Sequence, residues 1–334
     1  MEPPDLPSHA AALPCPLAQG WELIRKFELP SQAPDGHVLG GFSAVAYQQE
    51  NDRLWLLSDA RRSHLVPITG LVRALATGSP LQPGPRLLLL DRDGRPLPPH
   101  GDGEGLVLQG QQAWIVSEGR RTVRRRARLQ RYDLTTGRLQ QELPLPGPWL
   151  ARPGAGLAAN RGPESLTAGP RGELVLAAEA PLLQDNPPVV RLASSDGFQA
   201  PQENTSLRID APPVMVQLGG SGLSELLALT DPPGLLALVR SYIPPLYWSA
   251  QLQLLPWPSG PAAPPLMPIT GWDLLAEGLP AENWEGLAWG PRLGDGRPSL
   301  VVVNDDNFKP FQRNWVAVLA PRQHPDCRSI PSKL

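Results

Sequence analysis

Cysteine and histidine are scarce in this chain. Two cysteines, Cys15 and Cys327, lie near its ends, and five histidines are scattered through 334 residues. No Cys/His cluster with zinc-site spacing results. An excess of one charge is also missing. Thirty Lys and Arg face 32 Asp and Glu, a formal charge of −2, which argues against a general nucleic-acid or membrane-surface binder. No run of about 18 apolar residues occurs, so no membrane span is expected. The first twenty residues lack the charged-then-apolar order of a signal peptide. Helical periodicity over about ten residues or more is absent. There is no Gly-x-Ser-x-Gly elbow and no P-loop. Gly101-x-Gly103-x-Gly105 is not a dinucleotide fingerprint, because no helix or βαβ unit accompanies it.

Proline, by contrast, is abundant, at 43 residues. It falls mostly between apolar runs, where a residue without a backbone donor is tolerated. A short motif returns five times: Phe42-Ser43-Ala44-Val45-Ala46, Gly103-Glu104-Gly105-Leu106-Val107, Pro163-Glu164-Ser165-Leu166-Thr167, Leu223-Ser224-Glu225-Leu226-Leu227 and Trp284-Glu285-Gly286-Leu287-Ala288. The steps from Ser43 to Glu104, Glu164, Ser224 and Glu285 are 61, 60, 60 and 61 residues. A long fixed period signals a solenoid, an array or a propeller. Each motif precedes a turn, then a strongly apolar segment such as Leu54-Trp55-Leu56-Leu57 or Leu300-Val301-Val302-Val303. A third, alternating segment follows, such as Leu129-Gln130-Arg131-Tyr132, and then a fourth, at residues 86–90, 139–145 and 206–209. Four short strands per repeat spell one propeller blade. The sequence predicts an all-β fold, a single five-bladed β-propeller over residues 21–320. Tails of 1–20 and 321–334 flank it, and six blades is the alternative.

The fifth repeat has only three strands. Residues 21–29, before the first motif, supply the missing fourth and close the ring. If they run antiparallel to residues 314–320, Cys15 and Cys327 fall at the same end of the pair. A disulfide there would close a very long loop, worth roughly 5 kcal/mol in the chain-entropy model. It would also imply an oxidising compartment. Two unrelated thiols is the alternative.

The first strand of a propeller blade lines the central channel. Ser43, Glu104, Glu164, Ser224 and Glu285 then converge on one axis, with Glu225 an alternative register for the fourth. Three carboxylates there need a counter-charge, and calcium suits a hard-oxygen set. The plainer alternative is that these residues cap strand starts. A second ring is expected near one channel mouth, from Ser58-Asp59, Ser117-Glu118, Ala178-Glu179, Val239-Arg240 and Asn304-Asp305-Asp306. Asp59, Glu118, Glu179 and Asp305 are candidate bases. Arg61, Arg161 and Arg240 are candidate phosphate clamps, because a guanidinium binds two oxygens at once; Arg62 and Arg120 lie close by. Residues 120–131 hold seven arginines, read as a solvated loop.

Several stretches together resemble a known family. They are Gly40-Gly41-Phe42-Ser43, Asp102-Gly103-Glu104-Gly105-Leu106 and Asn160-Arg161-Gly162-Pro163-Glu164-Ser165-Leu166, then Leu223-Ser224-Glu225-Leu226 with Leu238-Val239-Arg240-Ser241-Tyr242, and Asn283-Trp284-Glu285-Gly286-Leu287 with Asn304-Asp305-Asp306-Asn307-Phe308. This ordered set is similar to the phytase-like proteins described as having esterase-like activity. The resemblance implies a secreted or periplasmic phosphoester hydrolase and adds Asn160, Asn283 and Asn307 as substrate-binding candidates. The Ser, Glu, Glu, Ser, Glu order is also similar to calcium-dependent apyrases, which are five-bladed propellers. Two departures stand out: Arg240 follows Val239 where an acidic residue is usual, and Pro163 replaces an aromatic. The expected function is calcium-dependent hydrolysis of a phosphoester or phosphoanhydride by a monomer acting on a small phosphorylated substrate. The alternatives are a ligand- or protein-binding propeller with a structural calcium, and a calcium-dependent carboxyl-ester or lactone hydrolase.

Overall fold

The computed structural model describes residues 12–99, 101–119, 126–210, 221–245, 247–260, 263–324 and Cys327. The first strand, β1 (Trp21–Leu29), belongs to the last of five antiparallel sheets. Blade 1 holds β2 (Phe42–Gln48), β3 (Arg53–Ser58) and β4 (His64–Thr69), with two short outer pieces, β5 (Gln82–Pro83) and β6 (Leu87–Leu88). Blade 2 holds β7 (Gly103–Gln109), β8 (Gln112–Ser117), β9 (Arg128–Asp133) and β10 (Leu139–Pro144). Blade 3 holds β11 (Pro163–Ala168), β12 (Leu174–Ala178), β13 (Val190–Ser195) and β14 (Gln202–Leu207). Blade 4 holds β15 (Ser221–Thr230), β16 (Pro233–Ile243), β17 (Tyr247–Pro256) and β18 (Thr270–Asp273). Blade 5 holds β19 (Asn283–Trp289), β20 (Leu300–Asp305) and β21 (Asn314–Pro321), and β1 completes it beside β21.

The first strands of the blades touch in a closed circuit. β2 meets β7, β7 meets β11, β11 meets β15, β15 meets β19, and β19 returns to β2. The fold is therefore a five-bladed β-propeller whose inner strands line the axis. Five apolar clusters fill the five interfaces between neighbouring blades. This explains the sequence pattern. Second strands such as Leu54-Trp55-Leu56-Leu57 are buried along their whole length because each face packs on a neighbouring blade, so they read as continuous apolar runs. Outer strands such as β1 and β10 are partly exposed and read as mixed. Trp21, Trp114, Trp149 and Trp284 are fully buried in these interfaces.

Close packing around the axis dictates the glycine in Glu-Gly-Leu. A Cβ on Gly286 would lie 2.9 Å from Val45 N, and one on Gly105 would lie 2.8 Å from Glu164 O. Those atoms are backbone of a neighbouring inner strand and cannot step aside.

The ends are tied together as well. Cys15 and Cys327 form a disulfide with Cα atoms 6.0 Å apart. Around it Cys15 N–H donates to Arg322 O at 2.9 Å, and His324 N–H donates to Cys15 O at 2.8 Å. The outer strand of blade 3 differs from expectation. It spans Gln202–Leu207, because Arg208 turns away to donate to Leu266 O from the blade 4 side. The helix α1 (Leu71–Thr77) is one short element within blade 1. No described helix is long and apolar enough to cross a membrane.

Candidate active site

Every inner strand slips its pairing by one residue at the same place. The slips lie between Phe42 and Ala44, Gly103 and Gly105, Pro163 and Ser165, Leu223 and Glu225, and Trp284 and Gly286. The extra residues are Ser43, Glu104, Glu164, Ser224 and Glu285, so all five motif residues sit in β-bulges. A bulge leaves one residue out of the ladder and re-aims its side chain. The same pattern places Ser224, rather than Glu225, in phase. Glu225 turns toward blade 3 instead, where its Oε1 accepts the Leu166 N–H at 2.8 Å.

The register also defines the mouth ring. Phe42, Gly103, Pro163, Leu223 and Trp284 pair with Ser58, Ser117, Ala178, Val239 and Asn304. The next residues along are Asp59, Glu118, Glu179, Arg240 and Asp305. The two rings thus bring seven carboxyl groups, two serines and one guanidinium to the axis. Room is left for the acids by glycines just before or at the start of the next inner strand. A Cβ on Gly222 would lie 2.4 Å from Glu179 Oε1. Gly162 N–H donates to Glu118 Oε1 at 2.7 Å, and Gly41 N–H donates to Asp306 Oδ1 at 2.8 Å.

Arg240 reaches across the axis. Its Nη2 lies 3.6 Å from Glu164 Oε1 and 3.4 Å from Glu179 Oε1, and its Nε lies 3.3 Å from Glu285 Oε1. Burial opposes the charge, but these carboxylates outweigh it and raise the Arg240 pKa. Burial in turn pushes Glu104, Glu164 and Glu285 well above the carboxylate range, and neighbouring acids add to the shift. Arg240 pulls the last two back.

The side of the ring formed by blades 1 and 5 has a different character. Burial first, then Asp305, Asp102 and Asp306, push Asp59 up to about 8. Its Oδ1 is buried without a hydrogen-bond partner. Asp305 is pushed up to about 6 by burial, against a hydrogen bond from Asn307 N–H. Asp59 therefore holds its proton to higher pH than its neighbour Asp305.

The donor set does not fit calcium as folded. That ion takes about six to eight oxygen ligands. Ser43 Oγ instead donates to Gly103 O at 2.7 Å. Glu164 and Glu285 already hold a cation, Arg240. Among the described residues, no group of three or more His, Cys, Asp or Glu side chains is arranged for a metal.

The other expected residues are placed as follows. Arg161 Nη1 donates to Ser221 O at 2.8 Å and to Glu179 Oε1 at 3.3 Å. Asn283 Nδ2 donates to Glu285 Oε1 at 2.7 Å and to Asp305 Oδ2 at 3.4 Å. Asn307 N–H donates to Asp305 Oδ1 at 2.6 Å. Asn283 and Asn307 thus orient acids. Asn160 and Glu118 line a cavity of about 250 Å³ between blades 2 and 3, with Trp149, Arg126 and Arg152. Arg120 lies outside the described residues.

Arg61 is exposed on the loop after Asp59. With Arg62, His64 and Arg86 it lines an open basic pocket of about 420 Å³. Sequence reasoning missed Arg86 and His64. His64 is buried, and its Nε2 has no hydrogen-bond partner. The only signal for Arg86 was its place at the start of an expected outer strand.

A family model described as phytase-like, with esterase-like activity of phytase, matches residues 37–308. The chain belongs to the phytase-like family. A comparison with curated proteins gave no match. Among solved structures, the endo-arabinase from Bacteroides thetaiotaomicron VPI-5482 is 11% identical, with 90% of this chain and 98% of that one covered at a TM-score of 0.49. The sucrose-6-phosphate hydrolase from Lactobacillus gasseri is 10% identical at a TM-score of 0.50, with 89% of this chain and 62% of that one covered. At 10% identity the likeness to the second is one of fold and does not speak to substrate.

Proposed function

We propose that the chain hydrolyses ester bonds of small molecules, phosphoesters foremost, with Asp59 as the proton donor and Asp305 as the base. Membership of the phytase-like family supports a hydrolase. The observation that carries the roles is the pair of neighbouring acids pushed to about 8 and about 6. Groups whose environments separate their pKa values in this way divide into acid and base. At neutral pH Asp305 is ionised and takes a proton from attacking water. Asp59 still carries its proton and gives it to the leaving oxygen. The phosphoester preference rests on the basic pocket, which begins next to Asp59 and presents Arg61, Arg62 and Arg86. Arg161 and Arg240 are already engaged by carboxylates, so they are poor phosphate clamps.

The test is turnover of phenyl phosphate and phenyl acetate, whose leaving phenolate needs a proton, across pH 5–9 in excess chelator. A bell-shaped profile with limbs near 6 and 8 is expected. Asp59→Asn should lower kcat by about 100-fold or more. The pair Arg61→Gln and Arg62→Gln should raise KM for the phosphoester and leave the acetate unchanged. Wild-type kcat in Asp59→Asn would sink the assignment.

A second reading, an anion-binding propeller without turnover, is favoured by Arg240 filling the axis. Phosphate binding that depends on Arg61 and Arg62, with no hydrolysis of either ester, would establish it.

A further inference from the structure

Four of the five blades place an acid at the mouth-ring position, and blade 4 places Arg240 there. The substitution is not a surface change. The arginine is largely buried, and its backbone is fixed between Gly222 on β15 and Ala250 on β17. From that point its guanidinium spans blade 3, at Glu164 and Glu179, and blade 5, at Glu285. The two carboxylates it holds from the inner ring are two of the three that a metal on the axis would need. A divalent ion placed among them would lie against a guanidinium of like charge in a poorly solvated channel. The remaining inner-ring oxygens are few. Ser43 Oγ already donates to a carbonyl, whereas Ser224 Oγ is buried with no hydrogen-bond partner.

We propose that Arg240 is a built-in counter-cation that takes the place of a divalent metal on the propeller axis, and that removing its charge turns the axis into a metal site. Neutral side chains at residue 240 leave Glu104, Glu164, Glu285 and Glu179 converging without compensation. Hard oxygens in that arrangement favour calcium or a lanthanide over zinc. The proposal stands apart from the hydrolase reading, since it is read by binding and unfolding rather than by turnover.

The experiment titrates the full chain with calcium and, separately, with terbium, following sensitised luminescence and thermal unfolding. Wild type and Arg240→Lys, which keeps the charge, are expected to show no saturable binding and no rise in Tm. Arg240→Gln and Arg240→Ser are expected to bind with at least tenfold higher affinity and to gain several degrees in Tm. If Arg240→Gln does not fold in chelator, the double variant Arg240→Gln/Glu164→Gln removes one charge of each sign. It is expected to fold and still to bind more tightly than wild type. Saturable calcium binding by wild type that Glu104→Gln abolishes would overturn the proposal. So would a folded neutral variant at residue 240 that gains no binding.

Discussion

Equivalent backbone positions carry an acid in blade 1, Asp59, and a guanidinium in blade 4, Arg240. The difference divides the channel. Glu164, Glu179 and Glu285 share a guanidinium. Asp59 and Glu104 face other acids, and burial with those neighbours raises the pKa of both. The position of Arg240 in the ring was visible in the sequence, since Val239-Arg240 falls in the series of strand ends. Its reach was not, because the direction of a long side chain is set by the partners that the fold assembles. The sequence points to a phosphate clamp, whereas its partners are carboxylates. For Asn283 the family resemblance implies substrate contact, yet its amide donates to Glu285 and Asp305. Removing such a donor leaves buried acceptors unsatisfied, at about 1–3 kcal/mol. Asn283→Ala should lower the free energy of unfolding by that amount in urea titrations. A loss below about 0.5 kcal/mol would show that these carboxyls do not depend on it.

At the scale of the strand, the five bulges turn a period into a site. The step of 60 or 61 residues was legible because one hydroxyl or carboxyl recurs in each copy. The bulge itself was not, since a one-residue slip leaves no composition signal. Nor was it evident whether Ser224 or Glu225 faced the axis; the slip between Leu223 and Glu225 decides that. Outer strands were the least legible elements. Residues 206–209 were expected to form one, yet Arg208 leaves the blade to join Leu266, a partner far along the chain. In blades 2 and 5 the residue after the bulge is a glycine packed against the neighbouring inner strand. Gly286→Ala would drive a methyl against Val45 N and Ala44 C, at 2.9 and 3.0 Å, and overpacking of this kind costs about 1–3 kcal/mol. Thermal unfolding should show the loss, and an unchanged Tm would mean that the inner strands can separate.

For the whole molecule, closure and charge act together. β1 and the Cys15–Cys327 bond complete the ring, and closure forces the acids of all five blades onto one axis. Burial raises Asp59, Glu104, Glu164, Glu225, Glu285 and Asp305 above their unfolded values. Between about pH 4 and the folded values, the native state binds more protons than the unfolded chain. Stability from these groups is complete below about pH 4 and is lost as pH rises through their folded values, about 6 for Asp305 and about 8 for Asp59. His64 opposes this. Burial lowers its pKa, so it contributes stability that grows as pH rises through about 6.5. One imidazole set against six carboxyls leaves the acids in control. The most direct measurement is thermal unfolding of the wild-type chain from pH 5 to pH 8.5 in chelator, repeated with calcium. The account predicts a Tm that falls as pH rises and does not respond to calcium. A Tm that holds level or climbs with pH, or that calcium lifts by several degrees, would contradict an axis balanced by Arg240 and protons.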